Sequence, residues 1–417
     1  WQHNAARVLP EKQRIDDRVA ELFVPVILII SLLTFFIWVF FGGIDVVSHG
    51  LFAALSVLVV ACPCAVGLAT PVALAAGLNK AARNHILIRD TSALEQMRNV
   101  DVVVFDKTGT LTEGHPTVIG WLWAQGQEEH YKDVLLAAES TSDHPLAEAI
   151  VTALEGEEQV IPAHLDGFEN ITGKGVRVAY QGAEYWVGSH KLLKDYQANL
   201  SDILADMLTQ YESDGNSIVY FGRENDLLAV IAIKDQLRVT SMEAIRELRI
   251  QDIEICMLTG DGERTASSVA GSLGIMRFVA DAMPDDKEDF IHKLQLQGKT
   301  VAMVGDGVND AQALSCADVS IAMGKGTDTL MDTAMITLRT SDLLLLPKVF
   351  RLSRQTVSLM YRNLFWAFIY NTVGIFVAAG VLYPVYDILL SPALAGAAMA
   401  LSCVSVALSS LRLSSRF

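Results

Sequence analysis

Three aspartates and two cysteines carry the chemistry that this sequence offers. Asp106 closes the apolar run DVVVFD (Asp101–Asp106), and Lys107-Thr108-Gly109-Thr110 follows, so its carboxylate enters a turn rich in backbone and hydroxyl donors. Asp306 and Asp310 lie in GDGVND at the end of a second apolar run, Thr300–Asp306. Acids gathered at neighbouring strand ends repel one another, and a bound Mg²⁺ relieves that repulsion while clamping phosphate oxygens. An aspartate used there as a nucleophile yields an aspartyl phosphate. Each acid alone could be a helix cap or a turn residue; the three together point to phosphoryl chemistry.

The thiols point elsewhere. Cys62-Pro63-Cys64 lies within a long apolar stretch, where a regular helix would set residues two apart about 200° from each other. Pro63 cannot donate to the Val59 carbonyl, so the helix kinks or unwinds and both sulfurs can turn toward one point. Irregular backbone at membrane depth is tolerated where it is buried in protein or lines a cavity. Two thiolates favour soft or borderline ions such as Cu(I), Zn(II) or Cd(II) over Na⁺, K⁺, Ca²⁺ or Mg²⁺.

These groups need elements to hold them. Short β-rich runs at Asp101–Asp106, Ile253–Asp261, Thr300–Asp306 and Asp318–Met323 each meet an acidic or glycine-rich turn, with helix-like stretches between them. That pattern predicts a parallel α/β sheet with its chemistry at the carboxyl ends of the strands. More than a hundred residues with strands of their own (Val176–Tyr180, Tyr185–Val187, Ser217–Phe221, Leu227–Ile233) separate the first run from the others, which predicts an inserted second domain.

Four runs without one Asp, Glu, Lys or Arg, at Phe23–Phe41, Leu51–Leu78, Leu364–Tyr386 and Ile388–Leu411, read as membrane spans in two hairpins around this soluble part. Arg14, Arg18, Lys80, Arg83, Arg89, Arg354, Arg362, Arg412 and Arg416 flank the runs on one side, whereas the loops Gly42–Gly50 and around Asp387 hold no Lys or Arg. By the positive-inside rule the termini and the soluble middle are cytoplasmic. The polar N-terminus with Pro10 and Asp16-Asp17 makes the first span an anchor rather than a cleaved signal.

Composition agrees. The 417 residues exceed one compact domain, and 51% apolar against 19% charged residues excludes disorder and an ordinary soluble enzyme. A net charge of −16 argues against a nucleic-acid partner, which needs a basic face. Five cysteines, Cys62, Cys64, Cys256, Cys316 and Cys403, are too few and scattered for a secreted disulfide framework, so all are read as reduced thiols, with Cys256 and Cys316 as core residues.

DKTGTLTEG (Asp106–Gly114), TGDG (Thr259–Gly262) and GDGVNDAQAL (Gly305–Leu314) resemble the signature segments of P-type ion-pumping ATPases, within the haloacid-dehalogenase-like phosphotransferases. The resemblance implies that ATP phosphorylates Asp106, with Lys107 and Asp261 in the same signatures. It also implies that Thr108, Asp306 and Asp310 support Mg²⁺ beside Asp106, and that Thr259 and Lys287 hold phosphoryl oxygens. A cation such as Lys287 independently suits a transferring phosphoryl group. Phosphatases of that superfamily commonly carry an acid two residues after the nucleophile; here Thr108 stands there and is no general base near neutral pH, so the phosphoenzyme should persist. Glu139, His144-Pro145 in SDHPLAEAI, and Gly173 and Gly175 resemble the nucleotide-binding domain of the heavy-metal-transporting branch, where they hold adenine and ribose.

Within that branch, Tyr370-Asn371 in the third span and Met399 with Ser402 and Cys403 in the fourth resemble the copper(I) transporters, whose pattern is Tyr-Asn and Met-x-x-Ser-Ser. Met399 and Cys403 stand one helical turn apart, and a thioether favours Cu(I). The zinc, cadmium and lead branch carries a lysine and an aspartate in these spans, and this sequence has neither. Cys403 replaces the second serine, and Gly262 replaces a usual asparagine. The chain opens in what resembles the segment before the family's third core span, so the earlier spans, the actuator domain with its Thr-Gly-Glu loop and a C-x-x-C capture module are expected to lie outside it. A chain of that kind binds ATP but does not complete a transport cycle alone.

The resemblance therefore implies a cytoplasmic linker (1–20), spans one and two with Cys-Pro-Cys (21–78), a phosphorylation domain in two parts (79–115 and 235–350), a nucleotide-binding domain (116–234) and spans three and four (351–417). It implies ATP-driven copper(I) export at a bacterial inner membrane with the catalytic domains cytoplasmic, and leaves room for a copper chaperone. Zn(II)/Cd(II) transport is the alternative; a membrane-tethered phosphatase and a non-catalytic nucleotide-binding partner are the readings of another class.

Overall fold

The computed structural model describes residues 13–42, 46–124, 128–142, 144–157, 160–198, 202–306, 310–324 and 334–415. Pro10, Asp143, Gly307, Val308, Asn309 and Arg416, which the sequence reading used in its motifs and charge pattern, lie outside them. The chain divides into two compact units, Trp1–Asn84 with Asp90–Arg98 and Val349–Phe417, and His85–Arg89 with Asn99–Lys348.

The first unit is helical. Among the described residues three helical segments are long and apolar enough to cross a membrane: Phe23–Phe41, Val47–Arg83 and Pro392–Leu413. Leu28, Ile29, Leu32, Leu33, Phe36, Phe40 and Phe41 all face outward, as suits lipid rather than water. The run Leu364–Tyr386, expected as a further span, is not among the three. It is shared between the end of the helix Leu345–Ala378, a turn in which Gly380 has φ +93°, and the short helix Tyr383–Tyr386. Trp38 accounts for that turn: its Nε1 donates to the Ala379 carbonyl at 3.0 Å, and a Cβ on Gly380 would stand 2.6 Å from its ring.

The second unit holds two sheets. Seven strands, β1 (Ile86–Ile88), β2 (Val102–Asp106), β9 (Glu254–Leu258), β10 (Arg277–Val279), β11 (Val301–Gly305), β12 (Val319–Met323) and β13 (Ile336–Leu338), are ordered β1-β13-β12-β11-β2-β9-β10. All pairs are parallel except β1 with β13. Strands buried on both faces need continuous apolar runs, which β2, β11 and β12 supply with every residue buried. The α/β sheet expected from the sequence is therefore present, with β2 between β11 and β9. Successive connections leave β2 in opposite directions, and in such sheets the ligand crevice opens at the strand's carboxyl end.

Between β2 and β9 the chain forms an antiparallel sheet, β3 (Thr117–Trp123), β4 (Gly167–Ile171), β5 (Gly175–Tyr180), β6 (Ala183–Gly188), β7 (Ser217–Arg223) and β8 (Asp226–Lys234), ordered β3-β8-β7-β6-β5-β4. The helices Glu128–Glu139 and Pro145–Glu155 contribute Leu135 and Ile150 to a core shared with Val176, Val187, Phe221 and Ile231. Strands β3 and β4 went unread in the sequence because their residues are mostly half-buried or exposed.

Candidate active site

Asp106 ends β2 in extended conformation, and the chain turns sharply through Lys107–Leu111. Gly109 makes the turn possible: its φ is +71°, and a Cβ there would stand 1.4 Å from Asp306 Oδ2. The Asp306 carboxylate thus rests directly on the turn that Asp106 opens. The turn is tied from outside by residues that follow β8. Arg238 donates from Nε to the Thr110 carbonyl at 3.0 Å and from Nη2 to the Gly109 carbonyl. Asp235 accepts from the Gly114 amide at 3.1 Å and from Thr112 Oγ1 at 2.5 Å. Sequence reading missed both; the signal was a charged cluster, KDQLR, directly after the most apolar strand of the inserted sheet.

Asp106, Asp306 and Asp310 each offer an oxygen within 4.8 Å of the others. Lys287, near the start of the helix Pro284–Leu296, places Nζ 2.5 Å from Asp106 Oδ1 and 2.7 Å from Asp310 Oδ1. Burial, reinforced by Asp106 and Asp310, pushes the Asp306 carboxyl up to about 7; burial, reinforced by Asp106 and offset by Lys287, pushes Asp310 up to about 7. Burial opposes the charge on Lys287, but its two carboxylate partners prevail and hold it protonated. Thr110 Oγ1, in the turn that Asp106 opens, is buried with no hydrogen-bond partner among the described residues. A hard divalent cation suits this all-oxygen set, because it relieves the repulsion that raises Asp306.

A second buried pair stands behind the first. Lys107 pairs with Asp261, and its Nζ also donates to Ser217 Oγ at 3.1 Å. Ser217 Oγ donates to Asp261 Oδ1 at 2.8 Å, and Thr259 Oγ1 to Asp261 Oδ2 at 3.1 Å. Burial works against the charge of both members. Even so, Asp261 holds the Lys107 ammonium above its ordinary value, and Lys107 holds the Asp261 carboxyl below its own. Lys107 therefore locks the β2 turn to the β9 turn, and Thr259 is drawn to Asp261. Ser217, unread in the sequence, joins the inserted domain to this pair.

In the inserted domain, Glu139 ends the helix Glu128–Glu139 and is buried, which pushes its carboxyl up to about 7. His144 caps the next helix, its Nδ1 accepting from the Leu146 amide at 3.2 Å with Pro145 in the first turn. Gly173 has φ +69° and faces Met283, whose Sδ would lie 2.5 Å from a Cβ. Gly175, at φ +144°, lets β5 and β6 pair closely at their end, since a Cβ would meet the Val187 carbonyl oxygen at 2.1 Å. His144 and Gly175 therefore have structural tasks whether or not a ligand is bound.

In the helical unit the chain unwinds where Pro63 lacks an amide: the helix Val47–Val60 ends, Cys62 N donates to the Val59 carbonyl at 3.4 Å instead, and a new helix starts at Cys64. The sulfurs of Cys62 and Cys64 converge to 2.50 Å and are paired, where the sequence reading took all five thiols as reduced. The remaining three are free, Cys256 buried and Cys316 and Cys403 half-buried, so Cys316 is not the core residue expected.

Cys403 packs against a cluster formed by Ala65, Val66 and Ala69 of the helix that starts at Cys64, by Ala367 one turn before Asn371, and by Val406. Gly374, three residues beyond Asn371, lies against Val60, whose Cγ1 would be 2.4 Å from a Cβ. Asn371 and Ser402 are buried, and neither Asn371 Nδ2 nor Ser402 Oγ has a partner among the described residues. Met399 is half-buried on the same helix as Cys403. Tyr370 departs from expectation: it is 46% exposed and stacks on Trp366, because a residue adjacent to a buried helical position faces another side.

The family model described as haloacid dehalogenase-like hydrolase matches residues 100–318. A copper-exporting P-type ATPase of Legionella pneumophila is 43% identical over 401 residues, 96% of this chain and 54% of that protein. A silver exporting P-type ATPase of Salmonella typhimurium is 44% identical over 406 residues, 97% of this chain and 49% of that one. The chain thus spans about half the length of the curated relatives it matches. Among solved structures, a zinc-transporting PIB-type ATPase in its E2.Pi state is similar at 32% identity and TM-score 0.69, over 95% of this chain and 63% of that one. A catalytic CPx-ATPase domain is similar at 28% identity and TM-score 0.55, over 65% of this chain and 97% of that one.

Proposed function

The chain belongs to the haloacid dehalogenase-like hydrolases, in their P-type ATPase branch, and from that premise we propose that it is the catalytic and ion-carrying part of an ATP-driven copper(I) exporter. The observation that carries this reading is the meeting of Asp106, Asp306, Asp310 and Lys287 at the carboxyl ends of the neighbouring strands β2 and β11. An Asp106 oxygen attacks the γ-phosphorus of ATP, the bond from phosphorus to the bridging oxygen breaks, ADP leaves, and an acyl phosphate remains. Lys287 offsets the charge that develops on the transferring group; Thr110 Oγ1, unpartnered now, and Thr259, once its hydroxyl leaves Asp261, offer hydroxyls to its oxygens. Asp106, Asp306, Asp310 and Thr108 would hold Mg²⁺, which when bound supplies charge neutralisation and a clamp on phosphate oxygens. Thr108 provides no carboxylate to activate water, so the phosphoenzyme lives long enough for the membrane part to respond.

Glu139, His144, Pro145, Gly173 and Gly175 make up the proposed nucleotide face. The proposed ion site consists of Cys62 and Cys64 in reduced form with Asn371, Met399 and Cys403, supported by the unwound backbone at Pro63 and the unpartnered Asn371 amide. Tyr370 is left out because it faces away. The positive-inside pattern supports a cytoplasmic catalytic unit. Competition for Cu(I) against a chromophoric chelator tests the ion assignment on the chain as it stands. The parent should take Cu(I) from the chelator and Cys62→Ser should lose it; retention by Cys62→Ser contradicts the site, and capture of Zn²⁺ in place of Cu(I) that Cys62→Ser abolishes transfers the reading to zinc export.

A further inference from the structure

On the same α/β domain, apart from the Asp106 cluster, three side chains of different chemistry converge. Glu288 and His292 stand one turn apart on the helix Pro284–Leu296, and Cys316 ends the helix Ala311–Cys316. Glu288 Oε1 lies 3.5 Å from His292 Nε2 and 3.3 Å from Cys316 Sγ. Each residue offers one donor atom within 4.8 Å of the others. Tetrahedral zinc, with bonds of about 2.0–2.3 Å, keeps its donors about 3.3–3.8 Å apart, and both distances from Glu288 Oε1 fall in that range.

Gln295 supplies an independent observation. Its Nε2 donates to the Cys316 carbonyl at 2.9 Å and to Asp318 Oδ2 at 3.3 Å, and both of those partners only accept. The amide is therefore oriented with Oε1 toward His292 Nδ1, 3.1 Å away. An amide oxygen cannot donate, so Nδ1 carries a proton, and in the neutral imidazole the lone pair sits on Nε2, the nitrogen 3.5 Å from Glu288 Oε1. Fixing the tautomer by a hydrogen bond from the far nitrogen is how proteins prepare a histidine for a metal.

We propose that Glu288, His292 and Cys316 bind one Zn²⁺ or a comparable borderline divalent cation, with water completing the tetrahedron. A carboxylate, an imidazole and a thiolate together match neither Mg²⁺, which prefers oxygen alone, nor Cu(I), which prefers sulfur. On binding, the Cys316 proton that now goes to Glu288 is released, and carboxylate and thiolate balance the two charges of the ion. The ion ties the helix that carries Lys287 to the helix capped by Asp310. This site does not depend on what ion the membrane part carries.

The test uses the full chain with Cys62→Ser, Cys64→Ser and Cys403→Ser, so that membrane sulfurs do not contribute, titrated with Co²⁺ and Zn²⁺. Co²⁺ should give a thiolate-to-metal charge-transfer band, and one equivalent of Zn²⁺ should remove it. Cys316→Ser should abolish the band, His292→Gln should weaken binding at least tenfold, and Gln295→Leu, which leaves every donor in place, should weaken it about 10- to 100-fold. An absent band in the parent, or a band and zinc stoichiometry unchanged by Cys316→Ser, overturns the proposal. An unchanged affinity in Gln295→Leu removes the tautomer argument.

Discussion

Lys287 holds its ammonium 2.5 Å from Asp106 Oδ1, although the two residues are 181 positions apart in the chain. The contact places a cation on the oxygen of the proposed nucleophile. It also makes Lys287 the counter-charge for two of the three acids, Asp106 and Asp310.

Replacing that lysine should therefore do two separable things. Lys287→Ala should lower phosphorylation by about 10²- to 10³-fold, the usual cost of losing one preorganised charge at a reacting centre. It should also destabilise the fold by about 3–5 kcal/mol, because buried carboxylates lose their partner. Mg²⁺ should recover part of the stability and little of the rate, as read by thermal unfolding and single-turnover labelling.

The acids themselves set a pH dependence. Asp306 and Asp310 rise from an ordinary 3.8 to about 7 on folding. A carboxyl raised on folding binds its proton more tightly in the folded state, so its contribution is complete below the unfolded value and disappears as pH climbs through about 7. Without divalent cations, the unfolding midpoint should fall between about pH 5 and about pH 8. Asp306→Asn should raise the midpoint at the alkaline end and flatten the curve.

Gly109→Ala should fail for two reasons that add. The new Cβ would stand 1.4 Å from Asp306 Oδ2, and φ +71° is strained for alanine. A loss of at least about 1–3 kcal/mol follows from the backbone alone, and displacement of Asp306 should abolish labelling of Asp106.

Asn371 separates function from stability. Its buried amide nitrogen has no partner among the described residues, and an unsatisfied buried donor costs about 1–3 kcal/mol. Asn371→Leu should leave the unfolding midpoint unchanged or higher while weakening Cu(I) retention; a clear drop in stability would assign Asn371 a structural role instead.

The parallel sheet was legible because strands buried on both faces must be unbroken apolar runs, as Val102–Phe105 and Val301–Val304 are. The unwinding at Pro63 was legible because a missing amide has a local consequence. Asp235 and Arg238 were not, since their task depends on contact with a turn more than a hundred residues away. The helix ending at Ala378 escaped for a similar reason: Trp38 captures the Ala379 carbonyl from far along the chain. Cys316 looked like a core residue because nothing in the sequence ties it to Glu288 and His292.

Transfer of phosphate to Asp106 is tested by incubating the chain with γ-labelled ATP and Mg²⁺, quenching in acid and treating the product with hydroxylamine. The expected label is stable in acid, removed by hydroxylamine as acyl phosphates are, and absent from Asp106→Asn. Label that persists in Asp106→Asn, or a parent chain that binds ATP and is never labelled, contradicts it.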